Sequence, residues 1–231
     1  MGGFANNAPI VTDGLVFYVD AANSKSYDGS TGGTTWSDLV GANDGALTNM
    51  ETNPANAGYV YDSANAGSVE FDGANDYASI GYTQPAQSST TSFTWSIWIY
   101  LPTGGHGNND VIFGNRYGSQ NLQFIKITPT GWEYYSGGNQ GISYSVPKDQ
   151  WVNLCVVKNQ GTHYYYSNGS QVGTRTATNS IVANPVFMGA DGYGSVQESA
   201  NVKFATAMIY EKGLSSTEIT QNYNALKNRF V

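Results

Sequence analysis

One stretch constrains this chain more than any other: Phe93-Thr94-Trp95-Ser96-Ile97-Trp98-Ile99-Tyr100-Leu101. In an extended backbone successive side chains point to opposite faces. Phe93, Trp95, Ile97, Ile99 and Leu101 therefore form one wholly apolar face, which must be buried. Thr94, Ser96, Trp98 and Tyr100 form the other, two small hydroxyls beside two large amphipathic rings, suited to partial burial or to a floor for stacking. A helix is disfavoured because β-branched and aromatic residues dominate, and Pro102 with Gly104-Gly105 ends the run. The stretch reads as a central sheet strand.

Its partners follow in the same idiom. Strand-like runs lie at 15–20, 46–48, 68–71, 77–80, 111–114, 122–127, 132–135, 142–146, 151–157, 162–166, 171–174, 186–189 and 203–210, with 59–61 as an edge strand. Asn168-Gly169 between two of them is a strong hairpin signal. One helix is expected, at the C-terminus: Ser215 and Glu218 fit a capping box, and Ile219, Tyr223, Leu226 and Phe230 recur on one face. The expected fold is all-β, a two-sheet antiparallel jelly-roll sandwich with one short C-terminal helix. Residues 1–12 read as an N-terminal arm and 13–231 as one jelly-roll domain.

Composition narrows the function. Only 12% of residues are charged and the net charge is -7, which leaves no basic patch for phosphates and argues against nucleic acid. A surface of Gly, Ser, Thr, Asn and Tyr suits neutral, hydroxyl-rich partners. No run is long enough to cross a bilayer, and the first residues lack the charge and apolar core of a signal peptide, so assembly in a host cytoplasm is expected. The single Cys155 sits in an apolar strand and reads as a small buried hydrophobe.

Several blocks, in order, resemble the concanavalin A-like superfamily, in particular its laminin G-like and pentraxin-like branch. They are Gly14 to Asp20 with Ala-Ala-Asn-Ser, Trp36-Ser37-Asp38-Leu39, Val69 to Tyr77, Phe93 to Leu101, the Trp151 strand with its Asn-Gly hairpin, and Ala207 to Ile219. Versions that open on a Gly-Leu-Val-Phe strand are similar to bacteriophage virion proteins. The resemblance implies a capsid decoration or fibre-associated protein located in the virion, with the major capsid protein or other virion proteins as partners and homo-oligomerisation through flat faces. The alternative it implies is a lectin-like module holding polysaccharide.

Three sites are expected or excluded on these grounds. Glycanases on this scaffold carry paired carboxylates at alternating strand positions. Here the glutamates are scattered; only Glu70 and Asp72 stand two apart, at a turn, and neither His106 nor His163 sits in a triad-like setting. A non-enzymatic protein with no catalytic residues is expected. For sugar, Trp98, Tyr100, Tyr134, Tyr164 and Tyr166 are the candidate aromatic floor. Ca²⁺ is the one cofactor candidate, which the resemblance places at Asp191 and Asn115, with Asp72 and Asp76 as a second set whose simpler reading is a capped turn.

Overall fold

A computed structural model describes the chain except residues 1–7, 31, 54–55, 57–60, 65–66, 105–109, 116–122, 129–130, 137, 177–178, 192–197 and 231. The strands are β1 (Leu15–Asp20), β2 (Thr35–Trp36), β3 (Gly45–Thr48), β4 (Val69–Asp72), β5 (Tyr77–Gln84), β6 (Ser92–Tyr100) and β7 (Val111–Asn115), followed by β8 (Gln123–Thr128), β9 (Gly131–Ser136), β10 (Trp151–Asn159), β11 (Thr162–Ser167), β12 (Ser170–Thr176), β13 (Asn184–Met188) and β14 (Asn201–Tyr210). A helix, α1 (Ser216–Leu226), and a short 3₁₀ turn at Lys227–Arg229 follow.

Two antiparallel sheets of seven strands form the sandwich. The first runs β1-β14-β6-β10-β11-β12, with β4 extending the β1 edge against β14; the second runs β2-β3-β5-β13-β7-β8-β9. Strand β6 lies at the centre of the first sheet, nine residues paired to β10 and seven to β14. Its face of Phe93, Trp95, Ile97 and Ile99 is buried at 0–1% exposure, together with Leu101 just beyond the strand, and meets the second sheet. There Trp95 packs edge-on against Phe113 and Tyr134, and its indole N–H donates to Gln84 Oε1 at 2.9 Å. The alternation written in the sequence thus becomes the inter-sheet core.

The opposite face of the first sheet is covered too. The capping box forms as expected: the Ser215 hydroxyl and the Glu218 carboxylate each take the other residue's backbone N–H. It starts α1 so that Ile219 and Leu226 close a second apolar cluster with Cys155, Tyr166, Met208, Tyr210 and Leu214. Burial pushes the Cys155 thiol well above its usual range, consistent with a packing role. Residues 8–12, the described part of the expected arm, lie against this helix and β14. Val11 N–H donates to Asn222 Oδ1 (2.8 Å), Gln221 Nε2 to the Pro9 carbonyl (2.7 Å) and Tyr210 OH to the Val11 carbonyl (3.0 Å).

Two differences from the sequence reading concern the strands. The run at 142–146 makes only an isolated bridge, Trp132 to Ile142, because this segment crosses from one sheet's edge to the other rather than extending either. The edge strand expected at 59–61 falls mostly outside the described residues. Elsewhere Asn168 and Gly169 both take positive φ (49° and 76°), the two-residue turn that matches strand twist, and join β11 to β12.

Candidate functional site

The five rings expected to form a sugar floor do not share a surface. Trp98 points outward from the first sheet and is 2% exposed, sandwiched by Tyr223 (5.6 Å, 12°) and Phe230 (4.4 Å, 24°) from the C-terminal segment. Phe230 also packs on Trp151, which packs on Tyr100, so Trp98 and Tyr100 belong to the seat of the C-terminal segment. Tyr134 points the other way, into the core, at 0% exposure between Trp95, His163 and Tyr165. Tyr166 is buried under the helix cluster and Tyr164 packs beside it. Sequence alternation separates the two faces of a strand but does not say which face another element covers.

The carboxylates of the Asp72–Asp76 turn serve the turn. Asp72 Oδ1 accepts the N–H groups of Ala74 (2.7 Å) and Asn75 (3.3 Å), and Asp76 Oδ2 accepts that of Asp72 (3.0 Å). Asp76 Oδ1 is buried and meets no hydrogen-bond partner among the described residues. Burial, with Asp72 and Glu51 nearby, pushes the Asp76 carboxyl up to about 7. Ca²⁺ requires six to eight oxygens, and among the described residues no three His, Cys, Asp or Glu side chains converge. The turn does not fit that ion. Asp191 and Asn115 are both buried, the Asn115 amide donates to the Pro185 carbonyl at 2.7 Å, and most of the loops beside them lie outside the described residues.

The other residues weighed for catalysis are placed apart from one another. Glu70 pairs with Lys203 (3.3 Å), which also meets Asp62 (3.1 Å). His163 is fully buried, its ring 5.2 Å from that of Tyr134, and neither nitrogen meets a partner among the described residues. His106 lies outside them.

What the tertiary structure does assemble lies on the outward face of the second sheet and at its β9 edge. Cross-strand pairing strings Ala46, Ser79, Phe187, Gly114, Phe124 and Tyr135 into one outward row. Phe124 and Tyr135 stack at 5.2 Å and 8°, and Tyr77 sits 6.3 Å from Phe187. Gly114 divides the row at φ 121°, where a Cβ would collide with the Gln123 carbonyl. Any side chain there would force β7 and β8 apart. In the next row Lys126 and Glu133 pair at 3.6 Å.

Beside Glu133 the sheet edge becomes a groove of about 380 Å³. Thr128, Gly131 and Glu133 line it from β8 and β9, Asn139, Gly141, Ile142 and Ser143 from the crossing segment that forms its floor, and Arg175 from β12. The crossing segment is held from both sheets. Ile142 N–H donates to the Trp132 carbonyl (3.0 Å), Gln140 N–H to the Tyr134 carbonyl (2.8 Å), Tyr165 OH to the Gln140 carbonyl (2.6 Å) and Arg175 Nε to the Gly141 carbonyl (3.0 Å). Gly173 matters here: a Cβ on it would fall 2.8 Å from Ile142. The result is two hydroxyls, an amide, a carboxylate and a guanidinium around a shallow cleft, continuous through Glu133 with the half-exposed Tyr135, which stacks on the buried Phe124. That is the donor, acceptor and apolar mixture that grips a sugar. None of these residues was a sequence candidate. The period-2 pattern of β9, with Trp132 and Tyr134 inward and Glu133 and Tyr135 outward, was the signal available.

Comparison with known proteins bears on the fold. The family model described as the concanavalin A-like lectin/glucanases superfamily matches residues 72–220. No curated protein sequence matches. Among solved structures, Trypanosoma rangeli sialidase is similar at 15% identity and a TM-score of 0.64, over 96% of this chain and 34% of the sialidase. The binding domain of Paraclostridial Mosquitocidal Protein 1 gives 17% and 0.64, over 93% of this chain and 53% of its own. The botulinum neurotoxin serotype G binding domain gives 12% and 0.62, over 90% and 50%. This chain thus spans about a third of the sialidase and about half of the toxin binding domains. The sialidase match corrects the expectation of a non-enzyme: the sandwich occurs within enzyme chains, so scattered carboxylates do not rule out catalysis. At such identities the likeness carries the fold and not the activity.

Proposed function

The chain belongs to the concanavalin A-like lectin/glucanase superfamily, and on that footing we propose that it binds carbohydrate through the β9-edge groove and the adjoining aromatic strip. One observation carries this reading. A cleft of about 380 Å³ lined by Thr128, Glu133, Asn139, Ser143 and Arg175 opens beside Tyr135, which stacks on Phe124. Sugar hydroxyls would meet the polar walls, while the C–H face of a neighbouring ring would lie on Tyr135. The structures it resembles support the same reading, since one is Trypanosoma rangeli sialidase in complex with sialic acid and two are toxin binding domains.

Binding to a glycan array, followed by titration calorimetry of the best ligand, tests this. Tyr135→Ala and Asn139→Ala are expected to weaken binding about 10-fold each, roughly 1.4 kcal/mol, with little change in melting temperature. Wild-type affinity in both variants would refute the placement of the site.

Carried on a bacteriophage particle, as the resemblance of its first strand implies, the groove would tether the virion to surface polysaccharide. Stoichiometric recovery of the chain with purified particles tests that setting.

A further inference from the structure

We infer that the sugar this groove prefers is an acidic one, recognised through its carboxylate by Arg175. The inference rests on the carbohydrate-binding reading and specifies its ligand.

The first reason is charge. The chain carries a net -7, yet this groove does not share that sign. The Glu133 carboxylate is matched by Lys126 at 3.6 Å, and Arg175 has no carboxylate partner among the described residues. One positive charge is therefore left over at the groove wall. In a strongly acidic protein, a lone cation lining a polar cleft is where an anionic group would settle.

The second reason is geometry. Arg175 is exposed but tethered. Its Nε donates to the Gly141 carbonyl at 3.0 Å, and Gly141 belongs to the segment that forms the groove floor. That bond fixes the plane of the guanidinium and leaves the terminal nitrogens to present a flat, two-pronged donor. A planar fork matches a carboxylate, which accepts two parallel N–H bonds, better than it matches a single hydroxyl. The strand that carries it is fixed as well, because Arg175 lies opposite the buried His163 in the β11–β12 ladder. Thr128 and Asn139 then serve the hydroxyls of the same sugar.

The full chain is titrated calorimetrically with two matched pairs: tetragalacturonate against its methyl ester, and 3′-sialyllactose against lactose. The carboxylated member of at least one pair is expected to bind about 10-fold or more tighter than its neutral counterpart, as suits a hydrogen bond to a charged group. The pair that responds identifies the acid as a uronate or a sialate. Arg175→Gln should erase the preference, bringing the acidic member's affinity down to that of its neutral counterpart, and the melting temperature read beside it reports whether loss of the Gly141 bond has disturbed the fold. Arg175→Lys, which keeps the charge but not the fork, should restore only part of it. Raising salt from 50 to 500 mM should weaken the acidic member alone. Equal binding of acid and neutral members by the wild-type chain, or a preference that survives Arg175→Gln, overturns this inference and leaves the carbohydrate reading standing. Failure of all four probes, together with a blank glycan array, overturns both.

Discussion

Two buried titratable side chains set opposing pH responses, and each can be isolated by one substitution. Burial, reinforced by the Lys158 ammonium across the β10–β11 pair, holds the His163 imidazole down to about 4. The unfolded chain takes up that proton near 6.5, so the native state gains its advantage above 6.5 and loses it as pH falls toward 4. The loss is at most about 3 kcal/mol on 1.36 kcal/mol per pKa unit. Asp76 works the other way. Its carboxyl titrates near 7 in the native state and near 3.8 unfolded, so the native state binds the extra proton between those values and loses stability as pH rises through them. The two slopes occupy the same window and offset each other. Denaturant titrations from pH 4 to 7 should therefore find stability rising toward acid in His163→Phe and falling toward acid in Asp76→Asn. His163→Phe should also be more stable than wild type at pH 5, since it removes two buried nitrogens that meet no partner among the described residues. Parallel profiles for both variants and wild type would refute the assignment.

At the scale of elements, the C-terminal segment decides the fate of a whole strand face. Strand β6 offers Trp98 and Tyr100 outward, and α1 with the turn after it brings Tyr223 and Phe230 down on that face. Trp98 is consequently a packing residue. Trp98→Ala is expected to cost about 3–5 kcal/mol in urea unfolding, the range for a buried Trp, and to affect sugar binding only through loss of fold. Tyr135→Ala, on the half-exposed strip, should cost under about 1 kcal/mol of stability while weakening binding. The two variants exchange the roles that their residue types suggest. Ser215→Ala removes one half of the capping box and should cost about 1 kcal/mol, read in the same titration.

At the scale of the molecule, closure of one sandwich edge creates the site. Residues 138–146 cross from β9 to the β11–β12 hairpin, and their backbone is bonded to Trp132, Tyr134, Tyr165 and Arg175 from both sheets. The sequence by itself determined the strands, because alternation of large apolar and small polar residues is a local property with a fixed period of two. It also determined the Asn168-Gly169 turn and the Ser215–Glu218 cap, each complete within four residues. It showed that Phe93, Trp95, Ile97, Ile99 and Leu101 must be buried, since no other fate suits five adjacent apolar side chains on one face. Only the tertiary structure decided which of the other rings are covered. Trp98 meets Phe230 more than a hundred residues away, and nothing within β6 reports that partner. The groove was illegible for the same reason. Glu133, Asn139 and Arg175 come from two sheets and the segment between them, and their proximity is a consequence of sheet order, which is set by the sum of long-range pairings and not by any local run.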